Sequence, residues 1–149
     1  MIKGFISAVV FISACMIGVF INKNKKQRAI FYKDFLDYIT IAIDSIKSSM
    51  KIKKDIDSIA SIQLHTDFNK FLSDKEIPKY INENEKKEIN LFFTKFGEGD
   101  LDSTIELLTE QKIKVGAKAD ECAKELKGKG AMILKLSILA GIALVILLI

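Results

Sequence analysis

Few residues in this chain have the types or spacing to do chemistry. His65 is the single histidine. General acid–base or nucleophilic catalysis would require a second group placed beside it, and no motif supplies one. A helix-end or surface role is therefore expected for His65. The two cysteines are Cys15, inside an apolar run, and Cys122, on the apolar face of a polar helix. That separation predicts no disulfide between them, and their spacing fits no metal site. Asp100 and Asp102 flank a turn but lack the further oxygen ligands of a calcium loop, so helix capping explains them better. Gly97-Glu98-Gly99 and Gly128-Lys129-Gly130 are glycine-rich, yet neither has the spacing of a phosphate loop. Lys51 to Lys54 with Asp55 and Asp57 reads as a solvated face. The sequence thus predicts a protein that is not an enzyme, with no catalytic residue, no cofactor and no metal.

The elements around these residues are more informative. Ile2 to Ile21 carries one charge, Lys3, and Ala131 to Ile149 carries one, Lys135. Runs of about 20 apolar residues are what a helix needs to cross a hydrocarbon core. The expected organisation is a transmembrane helix over 1–22, a helical domain over 23–130 and a second transmembrane helix over 131–149. All 19 acidic residues and 21 of the 23 basic ones lie between the two runs, so the middle piece carries only +2. That balance, within a chain of net charge +4, argues against nucleic acid as a partner.

Charge also orients the chain. Lys23, Lys25, Lys26 and Arg28 follow the first run without an acidic residue among them, and Lys124, Lys127 and Lys129 precede the second. Basic residues beside span ends stay cytoplasmic, which puts the middle domain in the cytoplasm. An alternative is a lipoprotein. Ile12-Ser13-Ala14-Cys15 fits a lipoprotein signal, and a lipid on Cys15 would leave an extracytoplasmic binding module. The apolar stretch after Cys15 and the positive cluster beyond it weigh against export.

The first run has small residues at helical spacing: Gly4, Ser7, Ala8, Ala14, Cys15 and Gly18, with Phe11 as the one large member. Ser137 and Gly141 form a smaller set in the second. Small residues let helix backbones approach closely within lipid. Gly4, Ala8, Ala14, Gly18, Ser137 and Gly141 are therefore candidate packing positions, either between the two spans or with a partner, self-association included. Lys135 sits deep in its run, and its long stem can return the ammonium to the headgroups.

The middle piece reads as all-α, an up-and-down helical bundle. Ile30, Phe31, Phe35, Tyr38, Ile39, Ala42, Ile46, Met50, Ile56, Ile59 and Ala60 recur at three- and four-residue intervals, with a break expected around Lys51 to Lys54. A second unit runs from Thr66 to about Tyr80, disturbed by Pro78. Asn82 with Glu85, and Ser103 with Glu106, have the spacing of capping boxes. Ile89, Phe92, Phe93 and Phe96 mark a helix ending at Gly97. A last polar helix, with Ile105, Leu108, Val115, Ala119, Cys122 and Leu126 inward, leads to a soft joint at Gly128 and Gly130.

The order of these parts resembles the stage III sporulation protein AB family. The likeness lies in a short N-terminal span, a helical domain of this size, the Phe96-Gly97 turn followed by an aspartate, a long polar helix, and the ending Leu136 to Ile149. It is most specific from Ile89 onward. The chain departs from the family pattern in its contracted Glu98-Gly99 loop. The resemblance implies a domain similar to the cytoplasmic helical domains of platform proteins in type II secretion and type IV pilus machines. It implies a place in the channel between mother cell and forespore during endospore formation, on the mother cell side. Its partners would be a cytoplasmic secretion-type ATPase and other membrane subunits, and its role a scaffold that couples ATPase motion to the membrane assembly. The turn at Gly97, Glu98, Gly99, Asp100 and Asp102 is a candidate partner-binding surface.

Overall fold

The computed structural model describes residues 2–49, 53–96 and 98–148. Six α-helices and one π-helical turn follow one another: α1 (Ile2–Ser49), α2 (Lys53–Gln63), α3 (Thr66–Asp74), α4 (Glu83–Lys95), α5 (Leu101–Glu125), the π-turn (Leu126–Gly130) and α6 (Ala131–Leu148). No strand occurs among the described residues. The fold is an all-α bundle with a long apolar helix at each end. It divides into two compact units, Arg28–Glu121, and Met1–Gln27 together with Cys122–Ile149.

In the unit Arg28–Glu121, the later part of α1 is the central helix. Its buried positions Phe31, Phe35, Tyr38, Ile39, Ala42 and Ile46 keep the expected three-four period. Phe68 and Phe71 of α3 and Phe92, Phe93 and Phe96 at the end of α4 close on them. Seven of the ten phenylalanines therefore share one core. Their rings meet edge-on or offset: Phe71 and Phe93 have centroids 5.0 Å apart, Phe35 and Phe92 5.4 Å, and Phe31 and Phe68 5.2 Å. Each such burial contributes about 1.5–3 kcal/mol, and a good ring pair adds ~0.5–1.5.

Several boundaries differ from the sequence reading. The helix from Thr66 stops at Asp74 instead of continuing toward Tyr80. Lys75 takes a left-handed conformation, φ 60°, and its N–H reaches the Phe71 carbonyl. Pro78 then disfavours helical backbone at the residue before it. Asn82 does cap α4, its Oδ1 accepting from the Glu85 N–H at 2.8 Å. The Glu85 side chain does not complete a reciprocal box, because it is committed elsewhere. Nor does Ser103 start the last polar helix. Asp100 does, accepting from the Ser103 N–H at 2.9 Å, so α5 begins at Leu101. Helical structure also persists through Gly128 and Gly130, where a soft joint was expected. Leu108, Val115 and Cys122, seven residues apart, are buried along α5, with Lys112 exposed.

Candidate functional site

The two apolar ends form the better-defined site. Within their unit, α1 and α6 meet at glycines. A Cβ on Gly18 would lie 2.6 Å from Ser137 Oγ and 2.7 Å from Ser137 Cβ. One on Gly141 would lie 3.0 Å from the Phe11 ring and 3.4 Å from Ala14 Cβ. One on Gly130 would lie 2.6 Å from Asn22 Oδ1. As the number falls along α1 it rises along the facing chain, so the helices are antiparallel. Ser137 Oγ donates to the Ile133 carbonyl at 2.9 Å, which satisfies the hydroxyl within its own helix. Both helices are long and apolar enough to cross a membrane. Only 6% and 12% of their apolar windows are buried, unlike a core helix of a soluble fold. Met16, Ile17, Phe20, Leu139 and Ile146 face outward.

The structure thus brings Ala14, Gly18, Ser137 and Gly141 together. Ala8 is exposed, and the surroundings of Gly4 lie outside what the structure describes. Phe11, the large residue in a stripe of small ones, fills the space that Gly141 leaves. Asn22 against Gly130 was not foreseen. The signal available was a glycine beside the basic cluster with a polar residue ending the opposite apolar run.

The turn proposed for partner binding is less organised. Gly97 lies outside the described residues. Glu98, Gly99, Asp100 and Asp102 are all exposed. Asp100 is engaged in capping α5, and hydrogen bonding from the Ser103 side chain, then from its backbone N–H, holds the carboxyl below the usual range. The described residues contain no cluster of three or more metal-ligating side chains.

Polar contacts pin the helical unit at four places that sequence reasoning missed. Asp34, buried on α1, accepts from the His65 backbone N–H at 3.2 Å and meets His65 Nδ1 at 2.8 Å. His65 occupies the start of α3, so this pair fastens the α2–α3 turn to α1. Tyr38 OH donates to Asp57 Oδ1 at 2.6 Å, tying α2 to the same helix. Tyr80 OH donates to Asp67 at 3.0 Å, holding the segment after α3. Burial, reinforced by these carboxylates, raises both tyrosine pKa values, so both phenols remain donors at neutral pH. Glu85 of α4, 8% exposed, takes Arg28 of α1 and, at 3.1 Å, Lys118 of α5. Burial pushes its carboxyl up, but the hydrogen bonds from Lys118 and Arg28 and the Arg28 charge outweigh this and leave it below its ordinary value. Glu85 and Lys118 also border a cleft of about 550 Å³ between α4 and α5, floored by Tyr32, Phe35 and Phe92.

The two buried carboxylates, Asp34 and Glu85, each meet a donor far away in sequence, 31 residues on for His65 and 57 residues back for Arg28. No protein-family model matches the chain, and neither a curated protein nor a solved structure matches it significantly.

Proposed function

We propose that this chain is a non-enzymatic platform subunit, held in a membrane at both ends, in the secretion-like channel between mother cell and forespore. The observation that carries the membrane part is the glycine seam. Gly18 admits Ser137 at a distance that an added Cβ would forbid, and Gly141 admits Phe11 at one that an added Cβ would crowd, while the outer faces of both helices stay largely apolar and uncovered. Close backbone approach with lipid-facing surroundings is how helices associate in a bilayer. The lysines beside both spans favour a cytoplasmic domain. The likeness from Ile89 to Ile149 supplies the sporulation context, and with it the ATPase and the other membrane subunits as partners.

The mechanism follows from rigidity. Two spans tether the helical domain at both ends and limit its rotation. Pins at Asp34, Tyr38 and Glu85, around an aromatic core, let a push on one helix reach the others with little loss. Deleting the gene tests this reading. Spore development should stop at engulfment or after, with normal vegetative growth, and a secretion-type ATPase gene should lie immediately upstream. A clean deletion that sporulates normally rejects the role.

A further inference from the structure

The unit of paired ends is strongly basic, and its lysines fall into a pattern set by the helix register. It holds eight lysines, at positions 3, 23, 25, 26, 124, 127, 129 and 135, against a single acid, Glu125. Among the described residues of this unit, Lys129 alone meets a carboxylate, that of Glu125 at 3.6 Å. Lys23, Lys26, Lys127 and Lys135 are exposed. Asn22 faces Gly130 in an antiparallel pair, so Lys23, Lys25 and Lys26 come level with Lys127 and Lys129. Lys135 lies five residues past Gly130, about 7.5 Å into the apolar helix.

Phase matters as much as height. Ser137 faces Gly18, and two residues at ~100° each turn Lys135 to the opposite, outer side of α6. Lys127 stands eight residues before Lys135. The π-turn between them holds one residue more than an α-turn. The two lysines are therefore about two turns apart, within ~20° of one face, and roughly 12 Å apart along the axis. A bare ammonium inside the apolar run is costly unless it finds an anion at the interface.

We infer that Lys135 and Lys127 clamp the phosphodiester of an anionic glycerophospholipid on the outer face of α6, within the field of Lys23 and Lys26. The stems of both lysines lie along the lipid-facing side, and their ammoniums converge on the headgroup from below and above. Zwitterionic lipids present the same phosphate with a cation attached, so the net −1 headgroup is preferred. The inference rests on the two helices lying in a bilayer and is independent of the sporulation role.

The test uses the full chain in nanodiscs of phosphatidylcholine containing trace spin-labelled phosphatidylglycerol or spin-labelled phosphatidylcholine. The fraction of each label immobilised by the protein is read by electron paramagnetic resonance. The expected result is a preference for phosphatidylglycerol, falling roughly threefold to fivefold in Lys135→Met and again in Lys127→Gln. Lys135→Arg should keep it, Lys112→Gln should not alter it, and high salt should weaken it. Equal immobilisation of the two lipids, or a preference unchanged in Lys135→Met, overturns the inference. Release of the chain from native membranes by alkaline carbonate overturns the membrane reading itself, and the lipid site with it.

Discussion

Replacing Gly18 by alanine should loosen the pair of terminal helices, and the structure sets the size of the effect. The new Cβ would sit 2.6 Å from Ser137 Oγ and 2.7 Å from Ser137 Cβ. A rotamer change can move the hydroxyl, but the Ser137 Cβ is fixed to its backbone. Carbon atoms rest at about 3.5–4.0 Å, so α1 and α6 must separate by roughly 1 Å. Overpacking of this kind costs about 1–3 kcal/mol, a fivefold to 150-fold weakening. Ser137→Gly removes both clashing atoms and should restore the pair in the double variant. The assay is the effective concentration of two cysteines, Ala14→Cys and Gly141→Cys, in a Cys15→Ser, Cys122→Ser chain equilibrated with glutathione in nanodiscs. Double-mutant analysis should give a coupling of at least ~1 kcal/mol between positions 18 and 137. An effective concentration that Gly18→Ala changes less than twofold, or that Ser137→Gly fails to restore, would show that these two residues do not touch.

Other expectations follow from the same geometry. The thiols of Ala14→Cys and Gly141→Cys should oxidise to a disulfide within one chain, because the Cβ separation of 3.4 Å lies within about 0.1 Å of the ~3.5–4.5 Å that disulfides span; dimers on a non-reducing gel would instead mean pairing between chains. Phe68→Ala should cost about 3–5 kcal/mol and lower the melting temperature of the helical unit by more than ~10 °C, since the Phe68 ring meets Phe31, Phe35, Tyr38 and Phe71. Glu85→Gln should cost about 1–2 kcal/mol at neutral pH. The Glu85 carboxyl is held below its ordinary value of 4.5, so its contribution is complete above pH 4.5 and is lost as the pH falls through the lower folded value. Thermal melts should thus converge between wild type and Glu85→Gln in acid; a constant gap across that range would contradict the ion-pair account.

Much of this architecture could be read from residue order, for reasons particular to each part. The apolar ends are visible because a bilayer span needs ~20 residues with almost no charge. The phenylalanine face of α1 and α4 is visible because burial imposes a period of 3.6. The Asn82 cap is visible because its acceptor and donor lie three residues apart. The pins are not visible, since Asp34 and His65 are 31 positions apart and Arg28 and Glu85 are 57. Periodicity reports that a position is inward, not which distant group it meets. Asp34 illustrates this: it follows the aromatic face yet is buried because the α3 start donates to it. Glu85 has the spacing of the second half of a capping box, but Arg28 and Lys118 hold it more strongly than a local N–H would. The start of α5 is ambiguous in the sequence for a similar reason. Two capping residues, Asp100 and Ser103, stand three apart, and only the fold decides which is used.

The membrane hairpin with its domain on the cytoplasmic side is tested most directly by thiol accessibility in intact cells. In a chain whose native cysteines are replaced by serine, Lys87→Cys places a thiol at an exposed position of α4. A membrane-impermeant maleimide should leave it unlabelled until the cells are lysed, while the chain stays in the carbonate-resistant membrane fraction. Full labelling before lysis would put the helical domain outside the cell, as the Cys15 lipoprotein alternative requires, and would contradict the account.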